Sequence, residues 1–442
     1  MSVKRWALLI LMGSALTGVA VAMALVYTYR YYTFPEPLAE IISGLTLQFL
    51  PRPARFLMVL ALGALAVAIG FWKLGTSLVS PFLRPSDRGR ELADILADHR
   101  FGTADQRLRV VAIGGGTGLS SLLRGLKQYN IDITAIVTVA DDGGSTGRIR
   151  SEFDIPAPGD IRNCLAALAD DESLVSRLFQ YRFDQEGSDL RGHSLGNLFI
   201  TALTQVTGSF EQAVSETASV LNIRGRVLPS TVANVHLGAE LTDGSTVIGE
   251  SVVAYQHAPI RRVFLAPDDV PVYEPAFGAI LSADLIVIGP GSLYTSVMPN
   301  LLIEGITKAI RWSPGRTVYV CNVATQPGET DHYDAADHLH VVVEQLGEGA
   351  VDDMLVNNNP ATAASIKPED PITAVGVADL GDSAFGVRIR ESDLVSAQKP
   401  LRHEPHKLAK ALMELANEPR APRTGAGSAP KSTVPPRARV TA

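Results

Sequence analysis

The sequence of 442 residues predicts an α/β fold, a parallel sheet covered by helices, preceded by an N-terminal two-helix transmembrane hairpin. Three observations carry this expectation. Short apolar, β-rich runs alternate with stretches of helical periodicity from residue 108 to about 416. Glycine-rich loops follow several of those runs directly. Two long uncharged stretches occupy the first 80 residues.

Residues 6–27 carry no charge, and at ~1.5 Å per residue they span a hydrocarbon core of ~30 Å. Residues 56–72 are likewise uncharged. Tyr27, Tyr29, Tyr31, Tyr32 and Phe34 gather at one end of the first run, as an interfacial aromatic belt does. Lys4 and Arg5 precede the hairpin and Lys73, Arg84, Arg88 and Arg90 follow it, against Arg30, Arg52 and Arg55 between the runs. That balance leans towards both ends, and the main domain, lying on the cytoplasmic side of the membrane. A cleaved signal peptide fits less well, because the first apolar core is too long and a second span follows.

The chain thus divides into a hairpin (1–84), a polar linker (85–107), a main domain (108–416) and a basic, disordered tail rich in Pro, Ala, Arg, Ser and Gly (417–442). A net charge of −7 supplies no global basic field, so nucleic acid is not an expected partner. Cys164 and Cys321 form no CxxC pair and suit a reducing compartment.

Within the main domain, strands are expected at 109–113, 133–139, 285–288 and 317–320, a helix at 119–129, and a hairpin at 232–253 turning at Asp243-Gly244. The first loop, Gly114-Gly115-Gly116-Thr117-Gly118-Leu119, joins a strand to a helix, where glycines let backbone approach a phosphate and the helix start offers free N–H groups. Leu119 stands where a dinucleotide fingerprint has its third glycine, which argues against a nicotinamide dehydrogenase. After the second strand, Asp141-Asp142-Gly143-Gly144-Ser145-Thr146-Gly147-Arg148 places two carboxylates where ribose hydroxyls or a divalent ion such as Mg²⁺ would sit, with Arg148 able to neutralise phosphate. Asp160 and Asn163 belong to a third segment, in which Asp160 either N-caps a helix running to Leu168 or joins Asn163 in binding the ligand. His193 and Asn197 follow at one-turn spacing, where both can point at one ligand, with a capped helix start as the alternative. Gly289, Gly291, Ser292, Tyr294 and Thr295 form a second strand–glycine loop with backbone and hydroxyl donors for an anion, and residues 324–330 form another loop after 317–320. Asp334 and His338 share a helix face but match no zinc spacing, so helix capping and packing is the expectation there. No Gly-x-Ser-x-Gly elbow is present and neither cysteine has an evident partner, so covalent catalysis is not indicated.

Six stretches in the same order (114–119, 139–148, 158–163, 192–197, 289–296, and 326–329 with Asp337-His338) resemble the YvcK-type gluconeogenesis factors of the CofD-like 2-phospho-L-lactate transferase superfamily. The resemblance implies a Rossmann-like three-layer α/β/α fold and binding of a UDP-sugar, notably UDP-N-acetylglucosamine. It implies a regulatory role in cell shape and envelope synthesis on gluconeogenic carbon sources, with envelope-synthesis proteins as partners and self-association left open. Gly114 to Gly118 and Gly289 to Ser296 would face the diphosphate, and Arg402 in Leu401-Arg402-His403 would clamp a phosphate. The transferase relatives use a divalent metal, so metal-dependent transfer of a phospho or nucleotidyl group is the alternative.

Overall fold

The structure, a computed structural model, describes residues 51, 54, 107–169, 174–253, 256, 258–377 and 381–420. Both apolar runs of the expected hairpin, the linker up to residue 106 and the tail beyond 420 lie outside the described residues. Among the described residues, no helix is long and apolar enough to cross a membrane. The chain separates into units 1–102 and 103–442, and the elements that follow belong to the second.

The apolar run after Arg109 forms β1 (Arg109–Gly114), buried at every position except Arg109. It leads into α1 (Gly116–Leu126), β2 (Asp132–Val137), α2 (Gly144–Phe153), α3 (Pro158–Leu168), α4 (Leu174–Gln180), α5 (Leu195–Thr207), α6 (Phe210–Leu221) and β3 (Arg226–Pro229). A small antiparallel sheet follows, with β4 (His236–Leu241) between β5 (Thr246–Ile248) and β6 (Ile260–Ala266). The Asp243-Gly244 turn lies where expected, but the second strand ends at Ile248. Gly249 then takes φ +118° and the chain enters a short helix, α7 (Glu250–Val253). The main sheet resumes through α8 (Glu274–Leu281), β7 (Leu285–Ile288), a single π turn (Leu293–Val297), α9 (Met298–Leu301), α10 (Glu304–Trp312) and β8 (Arg316–Val320). It finishes with α11 (Ala335–Leu346), β9 (Asp353–Asn357), α12 (Ala361–Ser365), β10 (Ser383–Ala384) and β11 (Val387–Ser392). A ribbon of β12 (Val395–Ser396) and β13 (Lys399–His403) and the last helix, α13 (Pro405–Asn417), follow.

The eight-stranded sheet has the order β10-β11-β9-β8-β7-β1-β2-β3, parallel throughout except for β10 against β11. Helices cover both faces, giving the three-layer α/β/α arrangement. Both faces being covered explains why the central strands are continuous apolar runs rather than alternating ones.

The far side of the sheet is held by a buried ion cluster. Asp353, fully buried in β9, accepts from Arg316 (2.7 Å) in β8 and from Arg388 (3.1 Å) and Arg390 (3.2 Å) in β11. Arg316 also donates to the Leu415 carbonyl at the end of α13. Removing one member of such a group leaves the others desolvated without a counter-charge, which costs more than the intact cluster contributes. Asp353→Ala is therefore expected to lower the unfolding free energy by roughly 3–5 kcal/mol, measured as the shift of the urea midpoint of the purified protein. A shift within error of zero would mean the arginines are served by solvent.

Candidate functional site

The sheet changes direction at β1. From there the chain runs outwards through β2 and β3, then returns to add β7, β8 and β9 on the opposite side of β1. In such a sheet the loops after the two strands at the reversal diverge to opposite faces and leave a crevice between them. Here those strands are β1 and β7, paired in parallel with Ile113 beside Ile288, and the loops that follow are the two glycine segments. They pack closely: a Cβ on Gly118 would lie 2.5 Å from the Pro290 carbonyl oxygen. The helix after β1 starts at Gly116, three residues before its expected start, because Gly116 takes φ +62° and turns the chain straight into α1. Thr117 and Gly118 thereby become part of the helix's first turn, whose N–H groups have no partner within the helix. Asn300, fully buried, ties the two loops by donating to the Gly114 carbonyl (3.1 Å) and the Ser296 carbonyl (2.8 Å).

A cleft of about 1180 Å³ opens over these loops. Of the residues singled out from the sequence, Gly115, Gly116, Thr117, Gly118, Asp141, Asp160, Gly291, Ser292, Thr295 and Arg402 line it. The others do not. Gly114 and Gly289 lie beneath it at the strand ends. Tyr294 pairs its hydroxyl with that of Tyr333 (2.8 Å). His193 and Asn197 do converge, but on a protein group: both are buried and reach the Ser145 hydroxyl, at 3.0 and 3.2 Å. Gly144 opens α2 beneath that cluster. Arg148 donates to the Arg191 carbonyl (2.5 Å), and the Asn163 side-chain oxygen accepts from Arg162 (2.6 Å).

Asp160 does not cap its helix. Ala157 holds the N-cap position and Pro158 begins α3, since proline's fixed φ and missing N–H suit the first helical residue. Asp160 sits in the first turn instead, accepts from the Gly116 backbone N–H, and so braces the first glycine loop. At Asp334 the expectation of a cap holds: it forms a reciprocal capping box with Asp337, and His338 is fully buried behind it.

The cleft has charges of both signs. Arg124, Lys399 and Arg402 stand along it, and Asp141, Asp160, Glu250 and Glu329 also line it. Burial, then the neighbouring Asp141, raises Asp160 to about 7. Burial, then Asp141 and Asp142, raises Glu250 to about 8. Burial raises Glu329 to about 7, against a hydrogen bond from Thr295 (3.0 Å). Asp142 turns both oxygens to backbone N–H groups, Glu250 at 3.0 Å and Ser251 at 2.8 Å, and holds α7 in place. The Asp141–Asp142 pair is thus split between cleft and scaffold. Among the described residues, no group of three or more His, Cys, Asp or Glu side chains is placed to hold a metal ion. The donor set that fits a divalent cation is one or two carboxylates, Asp141 and Asp160, with the remaining positions filled by ligand phosphate oxygens.

Sequence reasoning missed Glu250, Asn322, Lys399 and His403 as lining residues. Glu250 follows an ordinary-looking strand end, and the others sit in segments without glycine motifs.

The profile of the family described as "2-phospho-L-lactate transferase CofD" matches residues 110–395. The chain belongs to the CofD family. Among its relatives, the "Gluconeogenesis factor" of Bacillus subtilis is 48% identical over 317 residues, 71% of this chain and 99% of that protein. The "Putative gluconeogenesis factor" of a Nostoc species is 42% identical over 421 residues, 94% of this chain and 90% of that one. A solved protein of the UPF0052 family from Bacillus halodurans is similar at TM-score 0.66 and 48% identity, over 70% of this chain and 99% of that one. The resemblance to the gluconeogenesis-factor group of CofD proteins therefore holds.

The raised pKa of Glu250 makes a signed prediction. A carboxyl that is harder to ionise in the folded chain than in the unfolded one stabilises at low pH and loses that contribution as pH rises. For Glu250 the window runs from its ordinary 4.5 to about 8. Glu250→Gln should therefore gain in melting temperature relative to the unaltered protein as pH rises across that window. A difference that stays flat from pH 4.5 to 8 would rule out this burial effect.

Proposed function

We propose that this CofD-family protein is a UDP-sugar-binding regulatory protein, with UDP-N-acetylglucosamine as ligand, that serves cell shape and envelope synthesis during growth on gluconeogenic carbon. The observation that supports it best is the meeting of two glycine loops at the β1/β7 reversal, under a cleft large enough for a nucleotide sugar. The start of α1 offers unpaired N–H groups and the positive end of a helix dipole to a diphosphate. Arg124, Lys399 and Arg402 supply cationic side chains along the same cleft. The names of the relatives support the gluconeogenic part of the reading, and the role in cell shape and envelope synthesis rests on the family resemblance alone.

Calorimetric titration with UDP-N-acetylglucosamine, with and without Mg²⁺, followed by analysis of the mixture, tests it. Binding with the ligand left intact is the expected outcome, and absence of binding would sink the reading. Arg402→Ala should weaken binding about 10- to 100-fold, the cost of one charge-assisted contact. A second reading, a metal-dependent transferase of phosphorus-containing groups, draws on the Asp141 and Asp160 carboxyls beside the loops and on the family's description. Consumption of the ligand would move the assignment there.

The proposal extends to location: residues 6–74 hold the domain at the cytoplasmic face of the membrane. Their two uncharged runs support it, and so does the Nostoc alignment, which reaches well into the region before residue 108. The full-length chain should sediment with membranes until detergent is added. Its recovery in the soluble fraction would refute the tether.

A further inference from the structure

One face of α1 forms a wall of the cleft. Thr117, Ser121 and Arg124 follow one another at i, i+4 and i+7, so they share that face, and all three line the cleft. From Thr117 to Arg124 the helix rises by about 10 Å, at ~1.5 Å per residue. Glycines fix both ends of this wall. At its start, Gly118 lies against Pro290 and Gly291 of the second glycine loop. At its end, Gly125 lies against the Pro405 carbonyl, where β13 passes into α13. Arg124 is thereby held beside the ribbon, and α1 touches β13 as well as α13.

Arg124, Lys399 and Arg402 are exposed and line the cleft. Among the described residues, none of their three cationic groups has a hydrogen-bond or ion-pair partner. Elsewhere in the domain arginines are engaged, as Arg109 is with Asp284, Arg262 with Glu240 and Arg316 with Asp353. Glu404 lines the cleft next to Arg402, but it caps α13 by accepting from the Lys407 backbone N–H (2.7 Å). An arginine in the last turn of a helix also offsets the negative end of the dipole. That role asks for one cation, and three unpaired ones line the wall shared by α1 and the ribbon.

A diphosphate seated on the glycine loops and the first turn of α1 lies two helical turns from Arg124. We propose that Arg124, with the ribbon cations beside it, forms a second anion subsite, which takes an acidic group carried by the nucleotide sugar away from its diphosphate. Arg402 can serve either anion, whereas Arg124 is the residue that only the second one needs. This rests on the UDP-sugar reading and adds to it a preference: a nucleotide sugar with an extra acidic group binds more tightly than a neutral one.

The acidic group can sit on the sugar, as a carboxylate, or on the ribose, as a phosphate, and paired ligands tell these apart. Full-length protein in detergent is titrated with UDP-glucose and UDP-glucuronate, and with UDP and its 3′-phosphorylated form. The acidic member of one pair should bind about tenfold more tightly, the worth of one charge-assisted contact. Preference within the first pair places the sugar at Arg124, and preference within the second places the ribose there. In Arg124→Ala that affinity ratio should fall to about one, and Arg124→Lys should restore part of it. The ratio compares two ligands on one protein, so a general loss of stability does not produce its collapse. Should Arg124→Ala fail to fold, Arg124→Gln, which keeps the side chain's stem and removes its charge, serves the same comparison. Equal affinities within both pairs for the unaltered protein, or a preference that survives in the uncharged variant, overturns the proposal. Failure of the unaltered protein to bind any of the four nucleotides refutes the UDP-sugar reading itself, a separate outcome.

Discussion

The parallel pairing of β1 with β7 is the constraint on which the rest of the domain depends. It brings together two strands separated by about 170 residues of chain, and their loops then share one small volume. Packing there is backbone on backbone: the first turn of α1 lies against the Pro290 carbonyl with no room for a methyl group between them. Asn300, inside the same junction, bonds to both loops at once. The floor of the cleft is consequently set by main chain and by one buried amide, groups whose positions vary little, rather than by long flexible side chains.

Around that fixed centre the side chains divide by charge. Carboxyls come from the loop after β2, from α3, from α7 and from the loop after β8, while the cations come from α1 and the β12–β13 ribbon. Crowding and burial keep part of the carboxyl set protonated near neutral pH. This softens the repulsion a diphosphate would otherwise meet and leaves hydrogen-bonding surface for its uncharged parts. Asp142 illustrates how closely scaffold and site are interleaved. It is adjacent to a lining carboxylate, yet it spends both oxygens on the start of α7 and so positions Glu250.

Four of the strands foreseen from sequence, β1, β2, β7 and β8, form the core of the sheet, where burial on both faces leaves unbroken apolar runs. β11 was not legible. Its backbone pairs with β9, and its Arg388 and Arg390 find their carboxylate partner, Asp353, only across that pairing. The same distinction runs through the site. Glycine loops announce themselves because a special backbone shape demands glycine. His193 and Asn197 look like ligand contacts at one-turn spacing, but their common target is Ser145, from a helix about 50 residues away in the chain.

The family profile stops at residue 395, and Lys399, Arg402 and His403 come after it. The ribbon that carries them is separate from the main sheet, and α13, which follows directly, returns to pack on α1. The cleft is therefore walled by two parts of the chain, the glycine loops inside the matched region and a short ribbon after it. Because α13 packs on the helix that the first glycine loop opens, a shift of the ribbon and a shift of that loop are mechanically coupled through one helix pair.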